Sequence, residues 1–489
     1  MVSFSSRYPY SYNRDPMANV DVEVGGRRGP RNKTKWWHRN TPLQDLLDCI
    51  EKGQNLSIQQ PPSIYKIPSS ARKISPDSFK PQVVSIGPLH RQDKALQEFE
   101  EQKTTYLHHL LQRLNIKPEI ILDKCLQKVN DSIHKIRESY GGMMTYTDVE
   151  LAQMMVIDAC FILDFLFLFE EHQPLTSTNA ILTRSISRDL VLLENQIPFF
   201  VLQDIFKCTI SKLQTTRSLT SGILQHLQIL SPFKEIKRND VICTTQPHHI
   251  LGLLQRSFHP TDNIPLNCPL LRFPNHSALE LDKAGVKFEP KKDENWTLAI
   301  DFSSSSWKFF RWWWGNRTLR MHKLCIDDST ELFLRNLIAY EQCTPDVPDF
   351  VTSYVCAIDM LLDTKEDLSK LVESKVLTNN LGSNEDSTKM LNKLSEQFAF
   401  KEFYYMEQWK QLDDYYNRYV PKNIALLRRT YFDSPWKIIA LLASCYHPIR
   451  SCHRSGHLKN NQVDSQCFFC LPSFWHYVWY LFHFLLKSH

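Results

Sequence analysis

The chain has 489 residues, 42% hydrophobic and 23% charged, with 58 Lys and Arg against 53 Asp and Glu. That balance excludes a wholly disordered chain, a collagen and a multi-span membrane protein. A formal charge of +5 over this length leaves no nucleic-acid footprint, so no nucleic-acid partner is expected. Only 13 residues are glycine, under half the usual share of about 7%, which disfavours folds that cradle nucleotides on glycine-rich turns.

Residues 1–38 have few aliphatic side chains and no periodicity, and read as a disordered basic arm. Arg27, Arg28, Arg31, Lys33 and Lys35 form either a solvated patch or a weak contact for anionic lipid or RNA. No apolar run suited to a signal peptide lies in residues 1–35. Thirteen scattered cysteines, odd in number and irregular in spacing, argue for free thiols in a reducing compartment.

Thr41 and Pro42 open a helix whose apolar face is Leu43, Leu46, Leu47 and Ile50. The prolines between Pro61 and Pro88 block helix, and Gln82–Ile86 has the pattern of a short strand. Helices follow over Asp93–Leu114 and Pro118–Tyr140. The helix at 148–170 is apolar nearly all round and is interrupted by Asp158 and Asp164. Its length could span a bilayer, but two central carboxylates cost about 3 kcal/mol each there, so it is expected in the protein core. A second apolar helix, Asp189–Phe206, carries Glu194, Asn195, Gln196 and a kinking Pro198.

Residues 209–277 are rich in Ser, Thr, Gln, Pro and His and read as an exposed, variable insertion with a short helix near His249–Leu254. Leu279–Ala284 is helical and stops at Gly285. Val286–Phe288, Thr297–Phe302 and Leu319–Ile326 are expected to form an antiparallel β-meander within 286–326. Between them, Trp307–Trp314 reads either as a partly buried loop or as a partner or membrane-interface patch. Helices resume at Asp327 and recur at about 350–363, 365–376, 384–399, 401–419 and 422–432, with no repeat of fixed period.

Residues 435–489 form an apolar tail. Ile438–Tyr446 is too short to span a bilayer, and His447 and Pro448 stop it. Phe468–Leu486 is long enough, and nine of its residues are aromatic, which suits the headgroup level or a marginal span. Arg428, Arg429 and Lys437 precede the first stretch, so insertion would leave the body in the cytosol. The alternative is a tail that packs on the protein or frays in the cytosol.

No phosphate-binding glycine loop, dinucleotide fingerprint, His-Glu-x-x-His or serine elbow occurs, and no catalytic or cofactor-binding residue is assigned. Cys467 and Cys470 have zinc-ligand spacing, with Cys445, His447, Cys452, His453 and His457 upstream, but no second clean pair completes a site. Chance clustering is favoured, and no metal is assigned. Asp158, Asp164 and Glu194 are the remaining candidates for chemistry, since paired carboxylates can do acid–base work. The favoured reading is a structural network with Arg72, Arg188 or a helix N-terminus as partners. The pairs His108-His109 and His248-His249 are read as surface or helix-face residues rather than ligands.

Ser63–Pro68, Phe79–His90, Met154–Leu163, Asp189–Phe200, Ala284–Phe288, Arg335–Gln342 and Tyr431–Trp436 together resemble, in order, the landmarks of the plant DUF 247 family. The likeness covers about residues 42–440. It implies a plant-restricted protein without an established activity or agreed catalytic residues, and a transmembrane helix directly after Pro435-Trp436. Association of grass members with pollen self-incompatibility implies recognition rather than catalysis. This chain departs where the implied span is broken at His447-Pro448.

The expectation is therefore a mainly α, multi-helix globular body at 39–434 with a small antiparallel β-meander and an apolar C-terminal tail. The favoured function is a membrane-tethered recognition or protein-interaction module with an unidentified protein partner and the body in the cytosol. The alternatives are an enzyme using buried carboxylates and a soluble regulator with a zinc site in the tail.

Overall fold

The computed structural model describes residues 61–114, 116–142, 144–171, 177–213, 217–233, 246–260, 276–291, 296–304, 317–396 and 402–417, with 46, 47 and 50. The arm at 1–38, Trp307–Trp314, the expected helix at 422–432 and the tail at 435–489 lie outside the described residues. Residues Met1–Gln60 and Pro61–His489 are separate units. In the first, Leu46, Leu47 and Ile50 are helical and exposed.

Apolar residues at helical spacing produce fifteen α-helices among the described residues. The first group is α1 (Ser69–Ile74), α2 (Gln97–Arg113), α3 (Pro118–Asp131), α4 (Ile133–Glu138) and α5 (Asp148–Glu171). Next come α6 (Ser177–Asp189), α7 (Phe199–Cys208), α8 (Leu219–Leu227), α9 (Ile250–Arg256) and α10 (Ala278–Lys283). The last are α11 (Thr330–Cys343), α12 (Phe350–Asp359), α13 (Lys365–Glu373), α14 (Asn384–Leu394) and α15 (Met406–Tyr416). The strands are β1 (Val286–Pro290), β2 (Ile300–Ser304), β3 (Arg317–Met321), β4 (Leu324–Ile326) and β5 (Leu377–Asn379).

Helix α5 is the axis of the N-terminal half. Its apolar circumference is covered by α2, α3, α7 and α8, as its composition requires. Phe161 is edge-on to Phe99 and Tyr106 of α2, with ring centroids 5.5 and 5.0 Å apart. Burying one such aromatic side chain stabilises by about 1.5–3 kcal/mol. Helix α11 plays the same part in the second half, against α9, α12 and α14. No helix among the described residues is long and apolar enough to cross a membrane.

Several sequence expectations change. Asp189–Phe206 is not one helix: α6 ends at Asp189, Leu190–Pro198 is irregular, and α7 starts at Phe199. Pro198 is the residue before α7, where its missing N–H and fixed φ cost nothing, so it delimits a helix instead of kinking one. Pro118–Tyr140 is likewise divided at Ser132 into α3 and α4. The described parts of 209–277 are core rather than exposed insertion: Ile210, Ile223, Leu227, Leu251 and Leu254 are buried.

The β-meander is also corrected. Sheet order is β1-β3-β2, with β1 parallel and β2 antiparallel to β3. Alternating side chains specify which face is buried, here Val286, Phe288, Ile300, Leu319 and Met321, but not strand order. The expected strand Leu319–Ile326 breaks after Met321, and β4 pairs in parallel with β5, a strand outside the sequence expectation. Gly285 follows α10 with φ +94°, the left-handed conformation expected of a residue just past a helix end.

Candidate functional site

Val83, Val84 and Ile86 have the composition of a strand, yet among the described residues no strand pairs with them. Buried backbone groups must still find partners. Here the partners are side chains. Asp189 at the end of α6 accepts from the N–H groups of Gln82, Val83 and Val84 at 2.9, 2.7 and 2.9 Å. Asn195 accepts from Ile86 N–H at 2.7 Å and donates to the Val84 carbonyl at 2.9 Å. Asp158 of α5 accepts from Gly87 N–H at 2.8 Å. Lys103 of α2 donates to the Ser85 carbonyl.

Gly87 is the pivot of this segment. Its φ is +73°, and a Cβ there would lie 2.6 Å from the Gln196 carbonyl oxygen and 2.8 Å from the Tyr140 hydroxyl. Tyr140 donates to that same carbonyl at 2.9 Å. The chain turns here, and His90 and Arg91 come back onto the carboxylates.

Asp158 and Glu194 therefore serve one segment. Glu194, 1% exposed, accepts from Ile67 N–H at 2.6 Å and from Arg72, and its other oxygen meets His90 Nε2 at 2.9 Å. Asp158 meets Lys103 Nζ at 2.6 Å and Arg91 at 3.5 Å. Lys103 also contacts Glu100 at 2.8 Å, and Arg91 pairs with Glu100. Two cations thus balance two carboxylates, which is what allows four charges to leave water. Burial raises the Glu100 carboxyl and Lys103 opposes the rise. For Asp189, burial pushes the carboxyl up to about 6, against the three backbone N–H groups it accepts from.

The expected network is thus present for Asp158 and Glu194, with Arg72 as predicted. Arg188 is not a partner of Glu194; it lies beside Asp189 and lowers that carboxyl. Asp164 stands apart, with neither oxygen hydrogen-bonded. Sequence reasoning missed Lys103, Arg91, His90 and Asp189. For Lys103 a signal existed: it falls between Phe99 and Leu110 on the buried face of α2.

A second buried set forms around α11. Asn336 accepts from Leu193 N–H at 2.9 Å and donates to the carbonyls of Ser78 and Leu332 at 2.7 and 2.8 Å. Glu341 accepts from Val351 N–H at 3.0 Å, from Thr352 N–H at 2.7 Å and from Gln255, so it caps the start of α12. Burial pushes its carboxyl up to about 7, with Gln255 the first of the groups opposing. His249 caps α9 through Gly252 N–H at 3.0 Å, while His248 meets the Tyr340 hydroxyl at 2.8 Å. His108 is exposed beside Gln112, as expected of a surface residue.

A cleft of about 350 Å³ lies between α1, α11 and α14, lined by Ile74, Asp77, Glu331, Asp386, Lys389 and Lys393 among others. Asp158, Asp164 and Glu194 do not line it. Among the described residues no three of His, Cys, Asp and Glu are placed to hold a metal, and the cysteines and histidines of the tail lie outside them.

The chain is similar to the UPF0481 protein At3g47200 of Arabidopsis thaliana, 27% identical over 412 residues, covering 78% of this chain and 82% of that one. It is also similar to the putative UPF0481 protein At3g02645 of the same plant, 23% identical over 475 residues, covering 78% and 87%. No solved structure matches it. The model of DUF247, a plant protein family of unknown function, matches residues 64–447, and its span holds both buried networks; the chain belongs to that family.

Proposed function

We propose that this protein is a recognition or protein-interaction module, tethered to a membrane by residues 435–489 with its body in the cytosol. The observation that supports it is the engagement of Asp158 and Glu194. These candidate carboxylates are occupied in holding Gln82–Arg91 against α2 and α5, with cations and backbone N–H groups as partners. A general acid or base needs a free proton position facing a substrate, and neither lines the cleft. Recognition asks less of the interior: a rigid scaffold carrying contact segments is sufficient. By composition the segment Trp307–Trp314 is the leading contact candidate, since tryptophan is enriched where proteins meet partners. The apolar, aromatic run Phe468–Leu486 is the element that supports the tether.

Proximity labelling in plant cells tests both parts, using the full-length chain, a chain truncated after Ser434 and a Trp312→Ala/Trp313→Ala/Trp314→Ala variant. The expected result is a specific neighbour set that loses membrane proteins on truncation and loses its strongest members with the tryptophans. Identical sets from full-length and truncated chains would remove the tether. A full-length set no different from an unfused labelling enzyme would remove recognition.

A further inference from the structure

Among the described residues, Asp164 is the exception in a core whose other buried acidic groups are matched. It is fully buried, and both of its carboxylate oxygens lack a hydrogen-bond partner. Charged carboxylates do not survive in such surroundings without compensation, whereas the neutral acid does. Its surroundings come from two helices. Cys160 lies one turn earlier on α5, and Tyr106 and Arg113 come from α2. Next to Asp164, the rings of Phe161 and Phe165 stack with centroids 5.9 Å apart, and Phe161 carries the α2 contact.

The other elements on α5 bring groups that could compete. Cys125 of α3 and Cys208 of α7 face Cys160, and Lys124 and Lys212 lie beyond Cys125. From α8, His226 is edge-on to Phe165 at 4.8 Å and meets Ser187 Oγ at 2.9 Å. Helix α4 contributes Arg137, which is bound to Asp148 at the far end of α5. Of these, Arg113 is the cation that acts on Asp164.

We propose that Asp164 makes the seam where α5 meets α2 and α3 proton-dependent. The neutral acid sits in the closed seam beside the aromatic rings, and loss of the proton drives the carboxylate toward water, parting α5 from both helices and exposing Cys160, which faces Cys125 of α3. Burial pushes the Asp164 carboxyl up to about 7, with Arg113 pulling the other way. The closed form therefore holds the proton more tightly than an open, solvated one. The open population grows as pH rises from about 4 toward 7 and levels off above that.

Alkylation of the full-length protein by iodoacetamide, followed at each cysteine by mass spectrometry, measures the open population. Wild type is compared with Asp164→Asn at each pH, which cancels the intrinsic reactivity of the thiol. The wild-type to Asn ratio at Cys160 is expected to rise about tenfold between pH 6 and pH 8 and then flatten. Cys356 of α12, buried in the second half, is the internal control and should not follow. A flat ratio at Cys160, or an equal rise at Cys356, overturns the proposal. Should Asp164→Asn fail to fold, Arg113→Ala decides: with its opposing charge gone, the rise must extend to higher pH than in wild type. Coincident profiles overturn it.

Discussion

Lys103 places its ammonium 2.6 Å from an Asp158 carboxylate oxygen, and both side chains are fully buried. A lysine on the inward face of an amphipathic helix is costly alone. Here it neutralises the one acidic group that accepts the Gly87 amide, and it takes the Ser85 carbonyl as well. Removing it leaves a buried charge and an orphaned carbonyl. We expect Lys103→Met to cost about 3 kcal/mol, at the low end for a broken buried pair because Arg91 remains nearby. In Lys103→Met/Asp158→Asn the amide still accepts from Gly87, so the double variant should be more stable than Lys103→Met alone. Urea unfolding of the four proteins closes the cycle; strictly additive losses would refute the coupling.

Gly87 and Gly285 make a matched comparison. Both have positive φ, which by itself costs a non-glycine residue roughly 1–2 kcal/mol. At Gly285 a Cβ would meet only the Tyr415 hydroxyl, at 3.4 Å. At Gly87 it would collide with the Gln196 carbonyl, which belongs to backbone that cannot swing aside. Gly285→Ala should therefore cost about 1 kcal/mol and Gly87→Ala several times more, enough to abolish soluble expression. Similar melting temperatures for the two would show that the contact at Gly87 is not tight.

Three buried acids and the partly buried Asp359 bind protons more tightly in the folded protein than in the unfolded chain. Burial is the first cause for each, taking Asp164 and Glu341 up to about 7 and Asp189 and Asp359 up to about 6. These acids make folding stability fall as pH climbs between about 4 and 7, whereas His226, His249 and His259, pushed down by burial to about 4, 3 and 4, act in the opposite sense below about 6.5. Asp93, Asp367, Glu150 and Glu385 are shifted downward, so their effect falls below that interval. Because the two sets oppose each other, Glu341→Gln isolates one acid while still accepting from Thr352: the wild-type urea midpoint, relative to that of the variant, should be higher at pH 5 than at pH 8. A difference between the two proteins that grows from pH 5 to pH 8 contradicts this.

Asn336 joins α11 to both Ser78 and Leu193. Truncation to alanine strands the Leu193 amide and the Ser78 carbonyl, each at about 1–3 kcal/mol, partly offset by relaxation, while the Leu332 carbonyl keeps its backbone partner in the helix. A loss of about 3 kcal/mol is expected in chemical unfolding for Asn336→Ala. A loss under 1 kcal/mol would mean that the first and second halves are joined chiefly by apolar contact.

The helices were legible wherever an apolar stripe met a clear stop, as with α5, α11 and the Gly285 end of α10. The irregular run Leu190–Pro198 was not, because its apolar residues mimic a helix. What shapes it is the inward bonding of Asn195 and Gln196, which take the carbonyls of Asp189, Leu190 and Leu192. Gln82–Ile86 misled in the opposite sense. Valine and isoleucine signal an extended backbone, and the backbone here is not helical, but composition cannot say whether its amides meet a strand or a carboxylate. Arg72 as the partner of Glu194 was reachable from charge alone. Lys103 as the partner of Asp158 required asking why a lysine interrupts an apolar face. The parallel pairing of β4 with β5 joins residues more than fifty apart and leaves no local mark.

The hydrogen bonds that hold Gln82–Gly87 come from residues 71 to 111 positions later in the chain, apart from that of Lys103. During synthesis this stretch leaves the ribosome long before Asp158, Asp189 and Asn195 exist. Its valines and isoleucine must stay exposed until roughly residue 196 has emerged, at a translation speed of about 5–20 residues per second. For several seconds every nascent copy thus displays an unpaired, β-prone stretch, and crowded polysomes make that interval the one in which neighbouring chains can wrongly associate.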